Sequence, residues 1–296
     1  MRRALCFILL AILAGTTCRA LRRRPGNGNY TEQRLTVGNL ERSYIRYAPA
    51  HEQPDKLLIL LHGGRGKPSG MIQLARDLPA LADRHGIVLI YPAGIGGHWN
   101  DGRADISESA RANTDDIGLM RAIIAAEAKE RKLLRVGVAG ISNGGMMAQR
   151  IACEIPELFS LAVTVAANLS VELAQKCKPK SATSVLFIVG VADPMVPYQG
   201  GAVKVLRKDR GQVLSIDDSL AFWSKAYSCL LSAEKAFTAS SFERSYRCAR
   251  GGLRLIAVKD GGHAWPGGMP YLPDKIIGKT TQEFSASEVI VRELAR

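Results

Sequence analysis

A serine stands where a short apolar run meets a glycine-rich turn, and this spacing suits a catalytic nucleophile. The sequence reads Gly140-Ile141-Ser142-Asn143-Gly144, a G-x-S-x-G pattern followed by a helical apolar pattern. On such a strand–turn–helix the serine hydroxyl is exposed at the tip, and glycine lets the strand and helix crowd around it. The helix directs the positive end of its dipole at the site, which favours a developing anion. The pattern predicts a nucleophile for acyl transfer; its alternative is a plain small-residue turn.

Two later loops supply an acid and a histidine. Asp193 follows the apolar run 185–189, and His263 follows the run 253–258 in a glycine-rich loop. Where a serine nucleophile sits on this kind of turn, the acid comes next along the chain and the histidine last. His263 would take and return the proton, since its pKa lies near neutrality, and Asp193 would orient it. All other histidines precede Ser142. Asp193 is also typical of a turn before proline.

A fourth loop, upstream of the serine, carries candidate backbone donors. The apolar run 57–61 leads directly into His62-Gly63-Gly64. Acyl transfer passes through a tetrahedral oxyanion that two backbone N–H groups must stabilise. One donor is assigned to Asn143, directly after the serine, and the other to Gly64, with Arg65 as the next candidate. Each segment alone is ordinary, but all four in this order predict a site for acyl transfer.

Together these segments resemble the secreted esterases grouped as polyhydroxybutyrate depolymerases and feruloyl or acetylxylan esterases. The matching segments are 60–64, 91–94, 98–103, 115–119, 140–146, 192–198, 262–268 and 284–288. The resemblance covers the chain from about Arg34 onward, with Ala93 standing where relatives often have an acidic residue. It implies an α/β-hydrolase fold and a Ser142, Asp193, His263 triad. It leaves open whether the substrate is a polyester or a feruloyl or acetyl ester.

Apolar runs and helical patterns alternate along most of the chain. Strands are predicted at 57–61, 87–91, 136–139, 161–166, 185–189 and 254–258, with a hairpin over 34–47, and helices at 69–85, 115–132, 144–154, 215–228 and 285–295. This alternation predicts an α/β fold with a mostly parallel central sheet flanked by helices on both faces. Loops after parallel strands share one sheet edge, so the candidate catalytic groups are expected to converge there.

The N-terminus has the pattern of a secretory signal peptide over residues 1–20. Met1-Arg2-Arg3 precede a short apolar stretch, and small residues follow up to Ala20. The apolar stretch is too short to span a bilayer securely. We therefore expect a secreted or periplasmic protein, with a lipid anchor on Cys18 as the less favoured alternative. Residues 21–33 are interpreted as a basic flexible segment, and residues 34–296 as a single catalytic domain.

Cysteine usage also favours an oxidising compartment. Of the six cysteines, Cys6 and Cys18 lie in the predicted signal peptide. The other four allow three pairings, of which local closure favours Cys153–Cys177 and Cys229–Cys248. No cysteine or histidine spacing is typical of a metal site, and the proposed chemistry requires no cofactor.

The chain is strongly basic, with a formal net charge of +13. Such a charge can attract nucleic acid or anionic polysaccharide, but the sequence has no nucleic-acid-binding motif. A solvated basic surface without a nucleic-acid partner is therefore expected.

Two tryptophans are candidate substrate contacts. Trp99 lies in the long segment 94–113 and could stack on a ring, although internal packing, with Asp101 and Arg103 as an ion pair, is the favoured alternative. Trp265 is expected either to line the pocket or to hold the His263 loop.

The function predicted from these residues is that of a secreted serine esterase. Its substrate would be a polyester oligomer or a feruloyl or acetyl polysaccharide. Two alternatives remain at this stage: a secreted serine peptidase or amidase with the same triad, and an inactive relative that binds a carbohydrate or a surface. Nothing in the sequence predicts the oligomeric state.

Overall fold

A ten-stranded sheet organises the part of the chain that the computed structural model describes, residues 27–104, 106–205 and 208–296. The predicted signal peptide, residues 1–20, lies outside these ranges. The strands are β1 (Asn29–Val37), β2 (Leu40–Ala48), β3 (Lys56–Leu61), β4 (Ile87–Pro92), β5 (Arg135–Ile141), β6 (Leu161–Val165), β7 (Ser184–Gly190), β8 (Gly201–Val205), β9 (Lys208–Val213), β10 (Cys229–Thr238), β11 (Ser241–Cys248) and β12 (Gly252–Val258). The helices are α1 (Pro68–Leu74), α2 (Leu78–His85), α3 (Glu108–Arg111), α4 (Asp116–Glu130), α5 (Asn143–Glu154), α6 (Val171–Lys176), α7 (Ile216–Tyr227), α8 (Asp274–Ile277) and α9 (Ala286–Ala295).

The sheet has the order β1-β2-β4-β3-β5-β6-β7-β12-β11-β10. Its central strands β4, β3, β5, β6, β7 and β12 are parallel to one another. The β1–β2 hairpin extends one edge and the β10–β11 hairpin the other, all in antiparallel pairing. The prediction of a mostly parallel sheet is confirmed.

Helices cover both faces of this sheet, as predicted. On β3, Leu57 and Ile59 belong to the apolar layer packed under α4, α5 and α7, whereas Leu58 and Leu60 belong to the layer under α1, α2 and α9. Successive residues of a strand face opposite sides, so a strand buried on both sides needs apolar residues at every position. This explains why the central strands are continuous apolar runs in the sequence.

One predicted helix is broken in two. The pattern over 69–85 indicated a single helix, but α1 ends at Leu74 and α2 begins at Leu78. Pro79 lies in the first turn of α2. Proline has no N–H to donate and clashes with the preceding turn, so it is tolerated at a helix start and not in a helix interior.

The first hairpin begins earlier than predicted. β1 starts at Asn29, five positions before the predicted start at Arg34, and pairs along its length with β2. The strand therefore includes residues 29–33, which the sequence had assigned to the flexible basic segment. These residues lie on the sheet edge and are mostly exposed, so they carry no apolar signal that predicts a strand.

Two further hairpins were missed in the sequence. β10 is exposed over most of its length, and β8 and β9 form a separate two-stranded sheet of mixed polar residues. Neither hairpin has a fully apolar face, which is the signal that predicts a strand. The segment that contains β8 and β9 begins and ends at neighbouring points, since the Ile216 N–H donates to the Tyr198 carbonyl at 2.9 Å.

Two disulfides join neighbouring elements, in the pairing favoured by local closure. Cys153 near the end of α5 is bonded to Cys177 just after α6, and Cys229 is bonded to Cys248. The latter two are register partners in the β10–β11 hairpin, so Cys229 begins a strand rather than ending a helix. Closing loops of this length stabilises a chain by ~3 kcal/mol in the chain-entropy account.

Candidate active site

Ser142 occupies a strained turn between β5 and α5. Its φ and ψ are 56° and −122°, a combination that L-residues rarely adopt. Two backbone hydrogen bonds hold it there, both at 2.9 Å. The Ser142 N–H donates to the Val165 carbonyl, and the Ser142 carbonyl accepts from the Met146 N–H. The turn thus has the shape expected of a nucleophile elbow.

The glycines around Ser142 are required by close packing. A Cβ on Gly140 would lie 2.3 Å from the backbone of Gly144, and a Cβ on Gly144 would lie 2.4 Å from the Leu61 carbonyl oxygen. Contacts below 3.0 Å essentially do not occur for real Cβ atoms. The start of α5 therefore presses against both its own strand and the end of β3, which brings the loops after β3 and β5 together.

The strain at Ser142 predicts a stability difference between two inactive variants. We expect Ser142→Gly to be more stable than Ser142→Ala by about 1 kcal/mol, because only glycine adopts this backbone conformation without strain. This net value already subtracts the destabilisation that results from the larger conformational entropy of glycine in the unfolded state. Thermal unfolding of both variants measures it. As a control, Ser232→Gly in the exposed strand β10 should be less stable than Ser232→Ala. Equal stability of the two Ser142 variants would contradict a strained turn.

Asp193 and His263 form a buried pair behind the elbow. The His263 Nδ1 and the Asp193 Oδ2 lie 2.7 Å apart, and both side chains are almost fully buried. The other carboxylate oxygen, Oδ1, accepts from the N–H groups of Met195 and Val196. An ionised carboxylate only accepts, so Nδ1 carries the proton and Nε2 is left as an acceptor. This is the tautomer that a general base requires.

Ser142 and His263 line one cavity of about 430 Å³. Asp193 lies behind His263 in the loop after β7. A hydroxyl from Tyr271, also in the cavity wall, donates to the His263 carbonyl at 3.0 Å, and burial raises the pKa of Tyr271 so that its proton is retained. The loops after β5, β7 and β12 thus meet at the carboxyl edge of the sheet, as predicted.

Gly64 and Asn143 also line this cavity. A Cβ on Gly64 would lie 3.9 Å from the Asn143 Cβ, and one on Gly63 would lie 3.6 Å from the Ser142 Cβ, so the two loops are in contact. Within the described residues, neither the Gly64 nor the Asn143 N–H donates to a backbone carbonyl. Both N–H groups therefore remain candidates for binding an oxyanion. Arg65, the alternative donor, has a φ of 61° in the same loop.

His62 holds the Gly64 peptide in place, a role that sequence reasoning missed. Its Nδ1 lies 2.8 Å from the Gly63 carbonyl oxygen, which also accepts from the Gly66 N–H, and its Nε2 accepts from the Gly94 N–H. Burial lowers the pKa of His62 below its ordinary value of 6.5, which keeps the ring neutral. In a trans peptide the N–H points opposite to the carbonyl, so fixing Gly63 fixes the direction of the Gly64 N–H.

The Asn143 side chain anchors the second candidate donor. Its Oδ1 accepts from the Trp99 N–H at 2.8 Å, and its Nδ2 donates to the Trp99 carbonyl and to Asp101 Oδ2 at 2.6 Å. Asp101 is fully buried and pairs with Arg103, also at 2.6 Å. The predicted internal pair is therefore present, and it supports the residue beside Ser142.

Neither candidate substrate-binding tryptophan reaches the cavity. Trp99 is fully buried; its indole N–H donates to the His62 carbonyl and its ring lies 4.8 Å from the imidazole. Trp265 is 1% exposed and donates to Ser287 Oγ. Their candidacy as substrate contacts is therefore corrected in favour of the alternatives: Trp99 is packed internally, as favoured, and Trp265 holds its loop against α9.

Within the described ranges, no group of three or more His, Cys, Asp or Glu side chains could hold a metal ion. No helix there has the length and apolar character needed to cross a membrane.

Comparison with curated proteins finds esterases. The chain is 28% identical over 296 residues to a protein named "Putative esterase NocK" from Nocardia uniformis, covering 91% of this chain and 84% of that protein. It is 34% identical over 117 residues to feruloyl esterase B from Neurospora crassa, covering 36% of this chain and 39% of that protein. No protein-family model matches the chain.

Solved structures agree in fold. An acetyl xylan esterase from Aspergillus awamori aligns with a TM-score of 0.57 over 83% of this chain and 97% of its own, at 15% identity. The chain has the α/β-hydrolase fold. A thermostable esterase also aligns, with a TM-score of 0.52 and 16% identity, over 78% of this chain and 55% of its own. The chain thus has the architecture that the sequence predicted.

Proposed function

We propose that this α/β-hydrolase is a secreted serine esterase that acts through an acyl-enzyme. Ser142 Oγ attacks the ester carbonyl carbon while His263 Nε2 takes its proton. The tetrahedral oxyanion accepts hydrogen bonds from the Gly64 and Asn143 N–H groups. Collapse expels the alcohol, which takes the proton from His263. Water, deprotonated by the same imidazole, then hydrolyses the acyl-Ser142 ester and regenerates the serine.

One observation carries this proposal. The strained Ser142 and the Asp193-bound His263 line one cavity, together with two backbone N–H groups that donate to no backbone carbonyl in the described ranges. Backbone strain at a non-glycine residue is retained where the surrounding structure enforces it, which is typical of active sites. The esterase names of both curated relatives support ester hydrolysis as the reaction.

Secretion and the substrate class are further parts of the proposal. The signal-peptide pattern and the two disulfides support export to an oxidising compartment. The resemblance to polyhydroxybutyrate depolymerases and to feruloyl and acetylxylan esterases supports an acyl ester of moderate size, and a cavity of about 430 Å³ can accommodate it.

A pair of assays tests the reaction. We expect rapid hydrolysis of 4-nitrophenyl butyrate and at least about 10²-fold slower hydrolysis of the matching 4-nitroanilide, because an amide has a poorer leaving group. Release of product from hydroxybutyrate oligomers, feruloylated sugars and acetylated xylan, measured side by side, then identifies the acyl class. No turnover of any ester, with no labelling of Ser142 by a fluorophosphonate, would overturn the proposal and favour an inactive binding protein.

His62 provides a prediction on the oxyanion site. We expect His62→Phe to lower kcat for 4-nitrophenyl butyrate by about tenfold or more with little change in KM, since loss of one aligned donor costs up to ~3 kcal/mol in the transition state. Phenylalanine keeps ring packing against Trp99 but cannot bind Gly63 or Gly94. His85→Phe, on the surface of α2, is the control. A rise in KM at unchanged kcat would contradict a role in positioning Gly64.

The same residue predicts a pH dependence of stability. Because the pKa of folded His62 lies below its unfolded value of 6.5, the unfolded chain binds the proton more readily. The stability contributed by the neutral ring is therefore fully present above about pH 6.5 and is lost as the pH falls from there toward the folded pKa. Thermal unfolding between pH 8 and 5 should show a smaller decrease for His62→Phe than for the unchanged chain. Parallel decreases would contradict it.

A further inference from the structure

The cavity wall is rich in positive charge. Four basic side chains line it: Arg65, Lys67, Arg103 and Arg210. No aspartate or glutamate among the described residues does so. A cleft with charge of one sign and apolar walls concentrates the field and attracts molecules of opposite charge. A basic protein surface does not by itself explain a cavity wall without carboxylates, because many arginines elsewhere in the described chain pair with carboxylates.

Three of these cations have no carboxylate partner within the described ranges. Arg103 is 4% exposed and its charge is matched by Asp101 at 2.6 Å, so it belongs to the support of Asn143. Among the described residues, the Arg210 guanidinium donates to the Ile106 carbonyl and to no carboxylate, and neither Arg65 nor Lys67 forms an ion pair. These three, which we call the cationic rim, are the charges that an occupant of the cavity can neutralise.

The cationic rim comes from two separate elements. Arg65 and Lys67 follow Gly64 in the loop after β3, so they lie close in sequence to one of the proposed oxyanion donors. Arg210 lies on β9, and its guanidinium is directed by the Ile106 carbonyl at 3.0 Å. Apolar side chains complete much of the wall between them; they include Met71, Leu74, Ile106, Val203, Val205 and Leu272.

From this arrangement, and resting on the proposed esterase function, we infer that the preferred substrate is an aliphatic ester that also carries a free carboxylate. The apolar wall would hold the aliphatic part, and the cationic rim the carboxylate. A hydroxy-acid oligomer is such an ester, since its chain ends in a carboxylate. Acetyl and feruloyl groups on neutral sugars bring no charge, so the inference distinguishes within the proposed substrate classes.

Matched substrate pairs test this inference. The first pair is the mono-4-nitrophenyl ester of adipic acid and its N-methylamide, with the charge on the acyl side. The second is 6-butyryloxyhexanoate and its N-methylamide, with the charge on the alcohol side. We expect kcat/KM to be about tenfold higher for the anion in at least one pair at low ionic strength, and the ratio to decrease at 0.5 M salt because exposed charges are screened.

Variants locate the effect. Arg65→Gln, Lys67→Gln and Arg210→Gln should each lower the anion-to-amide ratio by about twofold, and the triple variant should bring it close to one. The ratio within each variant cancels any general loss of activity. Arg292→Gln on α9 removes one exposed charge away from the cavity and should leave both rates unchanged.

The outcomes separate this inference from the proposed function. Ready hydrolysis of 4-nitrophenyl butyrate, with a ratio near one for both pairs in the unchanged chain, overturns the inference and retains the esterase. A ratio that Arg292→Gln lowers as much as the rim variants assigns the preference to overall charge and also overturns it. Absence of hydrolysis of every ester overturns the proposed function itself.

Discussion

Ser142→Ala is expected to lower kcat for 4-nitrophenyl butyrate by at least about 10⁴-fold, because the oxygen that forms the acyl-enzyme is gone. Alanine retains the Cβ and hence the strained backbone, and Ser142 makes no side-chain hydrogen bond that caps α5. The fold should therefore persist, with a thermal midpoint within a few degrees of the unchanged chain. Steady-state kinetics and a fluorophosphonate label, followed by peptide mapping, measure the effect directly.

A matched serine makes this result specific. Ser232 lies on the exposed strand β10, where its hydroxyl donates to the Ser245 carbonyl, and Ser232→Ala should keep full activity and labelling. Activity of Ser142→Ala within tenfold of the unchanged chain would contradict nucleophilic catalysis at this position. If Ser142→Ala loses both its activity and its fold, Ser142→Gly distinguishes the two causes, because we expect this variant to be folded and inactive.

Asp193→Asn is expected to lower kcat by about 10⁴-fold although it changes the shape of the side chain very little. The backbone N–H groups of Met195 and Val196 require an oxygen at the Oδ1 position, so the amide nitrogen must face His263. Since an amide N–H donates, His263 Nδ1 must accept and the ring proton moves to Nε2. An Nε2 that carries a proton cannot take one from Ser142.

Kinetics with an isosteric control check this expectation. Asp55→Asn removes a carboxylate that pairs with Lys56 at the start of β3. This position lies at the amino ends of the parallel strands, opposite to the site. It should keep full activity. Thermal unfolding of Asp193→Asn should show a folded protein, so that the loss reflects the histidine tautomer. A decrease of less than about tenfold would exclude Asp193 as the residue that orients His263.

The sequence predicted those features that depend on local pattern. Buried parallel strands are continuous apolar runs, so the position of each strand end, and of the loop after it, could be located. Ser142, Asp193 and His263 lie in such loops, and the topology of a parallel sheet brings these loops to one edge. Chain order was then enough to predict that Ser142 and His263 would meet in one cavity.

The remaining features depend on partners distant in the chain. His62 was excluded from the triad by chain order, yet its ring contacts Gly94, 32 positions away, which only the folded chain brings near. Trp99 packs on His62 for the same reason, and nothing in its neighbours distinguishes a buried indole from a ring-binding one. The β8–β9 hairpin lacks an apolar face of its own, so no periodicity indicates that Arg210 reaches the cavity.

The β8–β9 hairpin leaves and rejoins the domain at almost the same point, between Tyr198 and Ile216. A segment with adjacent ends can be lengthened, shortened or exchanged during evolution without moving the strands that carry the reacting groups. In this chain the segment brings Val203, Val205 and Arg210 to the cavity. Divergence of this one segment would therefore let related chains accept different substrates while the reacting groups stay the same.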